Sequence, residues 1–127
     1  MTARDVIVDL LQRGHAVQFR VRGDSMHPVI REDDLLHVEP CTSFSVGDVV
    51  LTLAERGLTA HRVIARVGER VVTRGDNAPG VDPEIEVSRV LGIVRHVERD
   101  GRRLGVRRRI AAAFRQHLKR RLASPHS

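Results

Sequence analysis

The sequence has few aromatic residues and almost no cysteine, and both shortages limit how its core can be built. Among 127 residues there are three Phe, one Cys and no Trp or Tyr. Val, Leu and Ile must therefore fill the core, and β-branched Val favours strands over helices. The lone Cys41 excludes a disulfide bond within the chain and suits a reducing compartment.

Long apolar runs are also missing. No stretch reaches the roughly 18 apolar residues that a membrane-spanning helix requires. Residues 1–5 lack the basic segment leading into an apolar one that marks a cleaved signal peptide. The sequence therefore predicts a cytoplasmic protein, with one domain over residues 1–106 and a tail over residues 107–127.

Charge divides the chain into two parts. Residues 1–100 carry 13 basic and 16 acidic side chains, a net charge of −3, whereas residues 101–127 carry 9 basic side chains and no acidic one. Within residues 107–122 an apolar side chain recurs every four positions, at Ile110, Phe114, Leu118 and Leu122. This spacing predicts a basic amphipathic helix at the C-terminus.

Three interpretations of this tail stay open. The helix packs on the domain, or it makes a peripheral membrane contact through residues 107–122 with anionic lipid, or it contacts nucleic acid. Nucleic acid is the least favoured partner, because the tail has no base-reading motif. The 22 residues before Gly23 are also too few for a helix-turn-helix domain. The sequence does not indicate an oligomeric state.

The rest of the chain reads as short strands separated by turn signals. Residues 3–13 have helical apolar spacing, and Gly14 follows as a stop signal. The predicted strands cover residues 16–22, 35–39, 49–53, 58–67, 70–74, 87–97 and 104–106. We expect a mainly β domain, a coiled sheet or partial barrel, with a short N-terminal helix and the basic C-terminal helix.

Ser25 is the first candidate for chemistry. It lies in the motif Gly-Asp-Ser-Met-His-Pro at residues 23–28, where a strand gives way to a turn. Gly23 leaves room for close backbone approach, and the backbone amides at Ser25 and Met26 can point at a developing oxyanion. A serine nucleophile needs a base, however, and most Gly-Asp-Ser triplets are only exposed loops or helix N-caps.

His61 is the candidate base, since imidazole titrates near pH ~6.5 and the residue lies in an otherwise apolar strand. Asp76 is the first candidate for an acid that orients it, and Asp82 is the second. The alternatives are a solvent-facing or core histidine and an aspartate that only shapes a turn. No cofactor and no metal are predicted, because the histidines are scattered and there is no Cys pair or His-Glu-x-x-His motif.

Four stretches in order resemble a known superfamily. They are Gly-Asp-Ser-Met-His-Pro-Val-Ile at residues 23–30, Asp-Leu-Leu-His-Val at 34–38, Val-Gly-Asp-Val-Val at 46–50 and Arg-Gly-Asp-Asn at 74–77. This order resembles the signal peptidase I/LexA-type (S24/S26) serine peptidase superfamily over about residues 17–97. The resemblance implies a LexA/signal-peptidase-like, mainly β fold and peptide-bond hydrolysis.

Within that superfamily the sequence is most similar to the histidine-base signal peptidases of the archaeal and endoplasmic-reticulum type. The only lysine is Lys119, in the tail, and His-Arg-Val-Ile at residues 61–64 stands where a lysine box would be. Unlike those enzymes, this sequence has no transmembrane segment. The resemblance implies Ser25 as nucleophile, His61 as general base, and Asp76, with Asp82 second, as supporting acid.

We therefore predict a serine endopeptidase that forms an acyl-enzyme and holds a peptide or protein substrate as an extended strand beside the sheet. Gly23 offers no side-chain donor to an oxyanion, which leaves that task to backbone amides. The alternative is a non-catalytic module that binds a peptide or partner on the same fold. These two predictions differ in whether the Ser25 hydroxyl and the His61 ring lie close enough to interact.

Overall fold

The computed structural model of the protein describes residues 1–41 and 43–110. One helix, α1 (Ala3–Gln12), precedes eight strands. These are β1 (Val17–Arg20), β2 (Leu35–Pro40), β3 (Val49–Ala54), β4 (Gly57–Val67), β5 (Arg70–Arg74), β6 (Ile85–Glu86), β7 (Val90–Arg99) and β8 (Arg102–Leu104). A short 3-10 turn, Val87–Arg89, joins β6 to β7.

The strands form one antiparallel sheet in the order β1-β2-β7-β3-β4-β5-β6, with β8 paired to β7. Within the described ranges, the end strands β1 and β6 do not pair with each other, so the sheet is open. Register shifts interrupt the β2–β7, β3–β7 and β4–β5 ladders. Because such irregularities increase local twist, they favour a coiled sheet over a flat one. The mainly β prediction is confirmed.

Local chemistry explains the first helix. The Thr2 hydroxyl accepts a hydrogen bond from the Asp5 N–H, and the Asp5 carboxylate accepts one from the Thr2 N–H, which together form a capping box. Gly14, at a φ of +89°, turns the chain away after the helix. Leu11 is buried and brings α1 onto the sheet.

Apolar side chains pack on both faces of the sheet. The main core lies under α1 and the turn after β1, and its buried members include Leu11, Met26, Ile30, Leu36, Val38 and Leu51. A second cluster contains Val50, Val63, Val71 and Val90. Burial on both faces explains why β3 and β4 read as nearly continuous apolar runs.

The structure differs from the prediction mainly near the C-terminus. Residues 87–97 were expected to be one strand, but 87–89 form the 3-10 turn. The edge strand lies two residues earlier than predicted, at Arg102–Leu104. Residues 107–110 have no regular secondary structure, and the rest of the predicted basic helix lies outside the described residues. No helix within the described ranges is long and apolar enough to cross a membrane.

Candidate active site

Ser25 lies at the rim of a turn that two apolar side chains anchor. β1 ends at Arg20, and Gly23 redirects the chain with a φ of +85°. Met26 and Ile30 are then buried in the main core, and the Ile30 N–H donates to the Met26 carbonyl at 3.1 Å. Ser25 itself stays exposed. The anchored turn therefore presents the hydroxyl at the surface on a fixed backbone.

An apolar groove of about 480 Å³ lies beside Ser25 and His61. Its walls include Phe19, Val21, Met26, Ile30, Leu58 and Ala60. Four arginines also line it, namely Arg4, Arg20, Arg22 and Arg56, and no described acidic residue does so. The groove thus combines an apolar wall with a basic rim.

His61 is held on β4 and almost fully buried, with 7% of its surface exposed. Its Nε2 lies 3.1 Å from Ser25 Oγ, and its Nδ1 lies 2.6 Å from Asp82 Oδ2. A carboxylate can only accept a hydrogen bond, so Nδ1 carries the hydrogen and donates. In the neutral ring the Nε2 lone pair then faces the serine hydroxyl.

Asp82 is fixed by the end of β5. Its backbone N–H donates to the Thr73 carbonyl at 2.9 Å, and the buried Thr73 hydroxyl donates to Asp82 Oδ2 at 2.8 Å. Arg56 Nη1 lies 3.5 Å from Asp82 Oδ1. The same carboxylate oxygen therefore accepts from both Thr73 and His61, which restricts the position of the ring.

Asp76, the first-ranked acid in the sequence, does not contact His61. Its carboxylate instead accepts two hydrogen bonds from Arg62, at 2.8 Å from Nε and 2.7 Å from Nη2. His61 and Arg62 are neighbours on β4, and successive side chains of a strand point to opposite faces. Asp76 lies on the Arg62 face, so the structure gives the position beside the imidazole to Asp82, the second-ranked candidate.

Arg62 joins three segments of the chain, a role that the sequence analysis missed. Only 2% of its surface is exposed. Besides the pair with Asp76, its Nη1 donates to the Gly47 carbonyl at 2.8 Å and to the Val106 carbonyl at 2.7 Å. The sequence does contain a signal for this role. Arg62 lies within an apolar strand, and a buried guanidinium must find hydrogen-bond acceptors for its donors.

We expect Arg62→Met to lower the free energy of unfolding by about 3–5 kcal/mol, since it leaves the Asp76 carboxylate buried without its counter-ion. Urea denaturation of both proteins measures the difference. Arg95→Met is the matched control, because Arg95 pairs with Glu39 at the surface with 53% of each side chain exposed. An exposed pair is worth about 1 kcal/mol or less. Equal losses in the two variants would contradict the role given to Arg62.

The Gly-Asp-Asn segment at residues 75–77 forms hydrogen bonds with the turn that carries Ser25. The Asn77 N–H donates to the Ser25 carbonyl at 2.9 Å, and Asn77 Nδ2 donates to the Asp24 carbonyl at 3.2 Å. The Asp76 N–H lies 3.3 Å from Met26 Sδ. Arg62, by holding Asp76, therefore also positions the backbone around Ser25.

The backbone amides predicted to face an oxyanion belong to the turn that carries Ser25. The His27 N–H is not available to an oxyanion, because it donates to the Asp24 carbonyl at 3.0 Å. In the part of the chain that the structure describes, the N–H groups of Ser25 and Met26 have no hydrogen-bond acceptor. These two N–H groups are therefore unused donors in the turn that carries Ser25.

Asp34 stabilises the C-terminal end of the turn that carries Ser25. Its buried carboxylate accepts two hydrogen bonds from Arg99, at 2.8 and 2.7 Å, and one from the Arg31 N–H at 2.8 Å. Burial favours a higher pKa for Asp34, but the hydrogen bonds from Arg99 and Arg31 outweigh it and hold the pKa below its ordinary value. Arg99 also donates to the Val29 carbonyl at 3.2 Å, so this ion pair fixes the turn.

Sequence comparison is consistent with this geometry. Residues 3–94 match the sequence model of the Peptidase S24-like family, which is more than half of the chain and spans α1 to the first half of β7. The match includes Ser25, His61, Asp76 and Asp82. No curated protein matches the sequence significantly. The breadth of the family match, on a mainly β peptidase-like fold, shows that the chain belongs to the Peptidase S24-like family.

Proposed function

We propose that the protein is a serine endopeptidase in which Ser25, His61 and Asp82 act together. One observation carries the proposal: His61 Nε2 lies 3.1 Å from Ser25 Oγ while its Nδ1 lies 2.6 Å from Asp82. This is the arrangement of nucleophile, base and orienting acid that activates a serine, and it is recognised by geometry and not by sequence order.

In the acylation step His61 Nε2 takes the proton of the Ser25 hydroxyl as Oγ attacks the peptide carbonyl carbon. The N–H groups of Ser25 and Met26 stabilise the oxyanion that forms. The imidazolium then gives its proton to the leaving amine as the C–N bond breaks, and an ester on Ser25 remains. Water, deprotonated by His61, hydrolyses this ester and restores the serine.

Asp82 orients the ring and stabilises its positive charge. Its hydrogen bond to Nδ1 selects the tautomer that presents a lone pair to Ser25. Thr73 holds the carboxylate by a second hydrogen bond. Because the imidazole is buried, the paired negative charge has a larger effect there than it would in water.

The groove favours a particular class of peptide. An extended chain beside β4 would place apolar side chains against the walls around Leu58 and Ala60. The arginine rim would attract carboxylates in the flanking residues of the substrate. We therefore expect peptides with a short apolar segment and nearby acidic residues to be preferred.

A fluorophosphonate probe, which phosphonylates activated serines, tests the proposal without a known substrate. We expect the probe to modify wild-type protein on Ser25, and peptide mapping identifies the site. Ser25→Ala removes the labelled atom, and His61→Ala removes the base, so neither variant should react. Equal labelling of all three proteins contradicts the proposal, and no labelling of the wild type would instead favour the non-catalytic binding module.

Gly75 gives a second test, because the site needs a glycine there. A Cβ at this position would lie 2.7 Å from the Ser25 carbonyl oxygen and 3.1 Å from His61 Nε2. Displacing reacting atoms by about 1 Å costs roughly 100-fold in rate. We expect Gly75→Ala to lower kcat for ester hydrolysis by about 10- to 100-fold.

Gly80→Ala is the matched control for that experiment. Gly80 lies in the same loop, and a Cβ there would meet no atom within 4 Å. Ester hydrolysis and urea denaturation are measured for both variants, so that a change in rate is separated from a loss of folded protein. A Gly75→Ala variant as active as Gly80→Ala would contradict the close approach of these backbones.

A further inference from the structure

A cluster of two histidines and one glutamate lies on β2 and β7, apart from Ser25 and His61. His37 and His96 are cross-strand partners next to a register shift in the β2–β7 ladder. Their rings stack with centroids 4.0 Å apart and an angle of 24° between the planes. Glu98, two residues after His96, places its Oε1 3.2 Å from His37 Nε2.

The two imidazoles are not satisfied by the protein around them. The Nε2 atoms of His37 and His96 are both buried, and neither makes a hydrogen bond with any residue that the structure describes. Glu98 Oε1 is close to His37 Nε2 but is not aligned for a hydrogen bond. Because an unpaired buried polar atom costs about 1–3 kcal/mol, two of them side by side favour the binding of a ligand.

These three residues have the chemistry and spacing of a metal site. One ligand atom from each of His37, His96 and Glu98 lies within 4.8 Å of the others. Zinc binds imidazole nitrogen at about 2.0–2.1 Å and carboxylate oxygen at about 2.0–2.2 Å, so two ligands of one tetrahedral ion lie about 3.3–3.5 Å apart. The two rings must therefore rotate out of their stacked arrangement for one nitrogen of each to converge with the carboxylate on one ion.

We propose that His37, His96 and Glu98 bind a divalent transition-metal ion of the zinc type. Two imidazoles with one carboxylate suit zinc, copper or nickel better than calcium and magnesium, which prefer oxygen ligands. The three side chains leave one coordination position open to water.

The bound ion joins β2 to β7 on the face opposite the main core. Leu36 and Val38, which flank His37, are both buried in that core, so His37 points to the other side of the strand. Charged neighbours surround the cluster, since Arg103 is the cross-strand partner of Glu98 and Arg95 pairs with Glu39. The ion therefore stabilises the central strands without contacting Ser25.

Isothermal titration calorimetry of the metal-free full chain with zinc chloride tests this site. We expect one high-affinity ion per chain and a rise in the melting temperature on binding. His37→Ala and His96→Ala should each weaken zinc binding at least about tenfold, and Glu98→Gln tests the carboxylate with little change in shape. His15→Ala is the control, because His15 is exposed and is not one of the three cluster residues.

Cobalt substitution supplies a second readout that does not depend on stability. Wild-type protein with Co²⁺ should show d–d absorption bands that His37→Ala, His96→Ala and Glu98→Gln weaken and His15→Ala preserves. Zinc affinity that is equal in wild type and in the three cluster variants overturns the proposal, as does the absence of binding. Both measurements are independent of peptidase activity.

Discussion

Replacing Ser25 by alanine is expected to lower kcat/KM for peptide or ester hydrolysis by about 10⁵- to 10⁶-fold, and His61→Ala by a similar factor. The reason is that Ser25 Oγ and His61 Nε2, 3.1 Å apart, act as one unit. A hydroxyl without the base is a poor nucleophile, and a base without the hydroxyl has nothing to activate. The double variant should therefore lose little more than either single one.

Steady-state kinetics on the two single variants and the double variant measure this coupling. Ser45→Ala and His15→Ala are matched controls, because both residues are exposed and lie outside the groove. Circular dichroism of each variant verifies that the sheet is retained. If the double variant loses the product of the two single effects, Ser25 and His61 act independently and the proposed mechanism is wrong.

Asp82→Asn is expected to lower kcat by about 10⁴-fold with the fold intact, because an amide in place of the carboxylate stabilises the wrong imidazole tautomer and removes the charge that stabilises the imidazolium. Asp82 Oδ2 lies 2.6 Å from His61 Nδ1, which is within hydrogen-bond distance. The guanidinium that pairs with Asp82 is that of Arg56, whose side chain is 70% exposed, so losing the Asp82 charge leaves no buried guanidinium unpaired.

Asp76→Asn is the matched variant, since it makes the same chemical change in the acid that pairs with Arg62. We expect it to lower the free energy of unfolding by about 3–5 kcal/mol and to change kcat per folded molecule far less than Asp82→Asn. Kinetics and urea denaturation on both variants separate the two roles. A larger loss of kcat in Asp76→Asn would return the orienting role to Asp76.

Most strands could be predicted because each is defined by its own apolar residues and by the turn residues on either side of it. β5, at Arg70–Arg74, was predicted to the residue, since apolar side chains between two turn signals define it. The 3-10 turn at Val87–Arg89 was missed because it contains no Gly, Pro, Asn or Asp to separate it from the apolar strand that follows. The predicted helix beyond residue 110 stays a prediction, as do its membrane and nucleic-acid partners.

The candidate site was only partly predictable, because it depends on contacts that no spacing reveals. Ser25 and His61 were found through motifs, but the choice between Asp76 and Asp82 depends on the path of one loop. That path is set by the Asp82 N–H bond to the Thr73 carbonyl and by the face on which Arg62 holds Asp76. Both are tertiary contacts.

The His37–His96 cluster illustrates the same limit. The two histidines are far apart in the sequence, and only the β2–β7 register makes them neighbours. Scattered histidines therefore gave no sign of a metal site. Gly75 was visible as part of a turn motif, but its closeness to Ser25 and His61 required the structure.

Detection of an acyl-enzyme tests the central claim most directly. Wild-type protein mixed rapidly with excess p-nitrophenyl acetate should release a burst of about one p-nitrophenol per chain, as acylation outpaces deacylation. Acid quenching within the burst, followed by intact-mass analysis and peptide mapping, should then show one acetyl group on Ser25. Wild-type protein that turns over the ester without an acetyl group on Ser25, or that acquires it on another residue, would contradict the account.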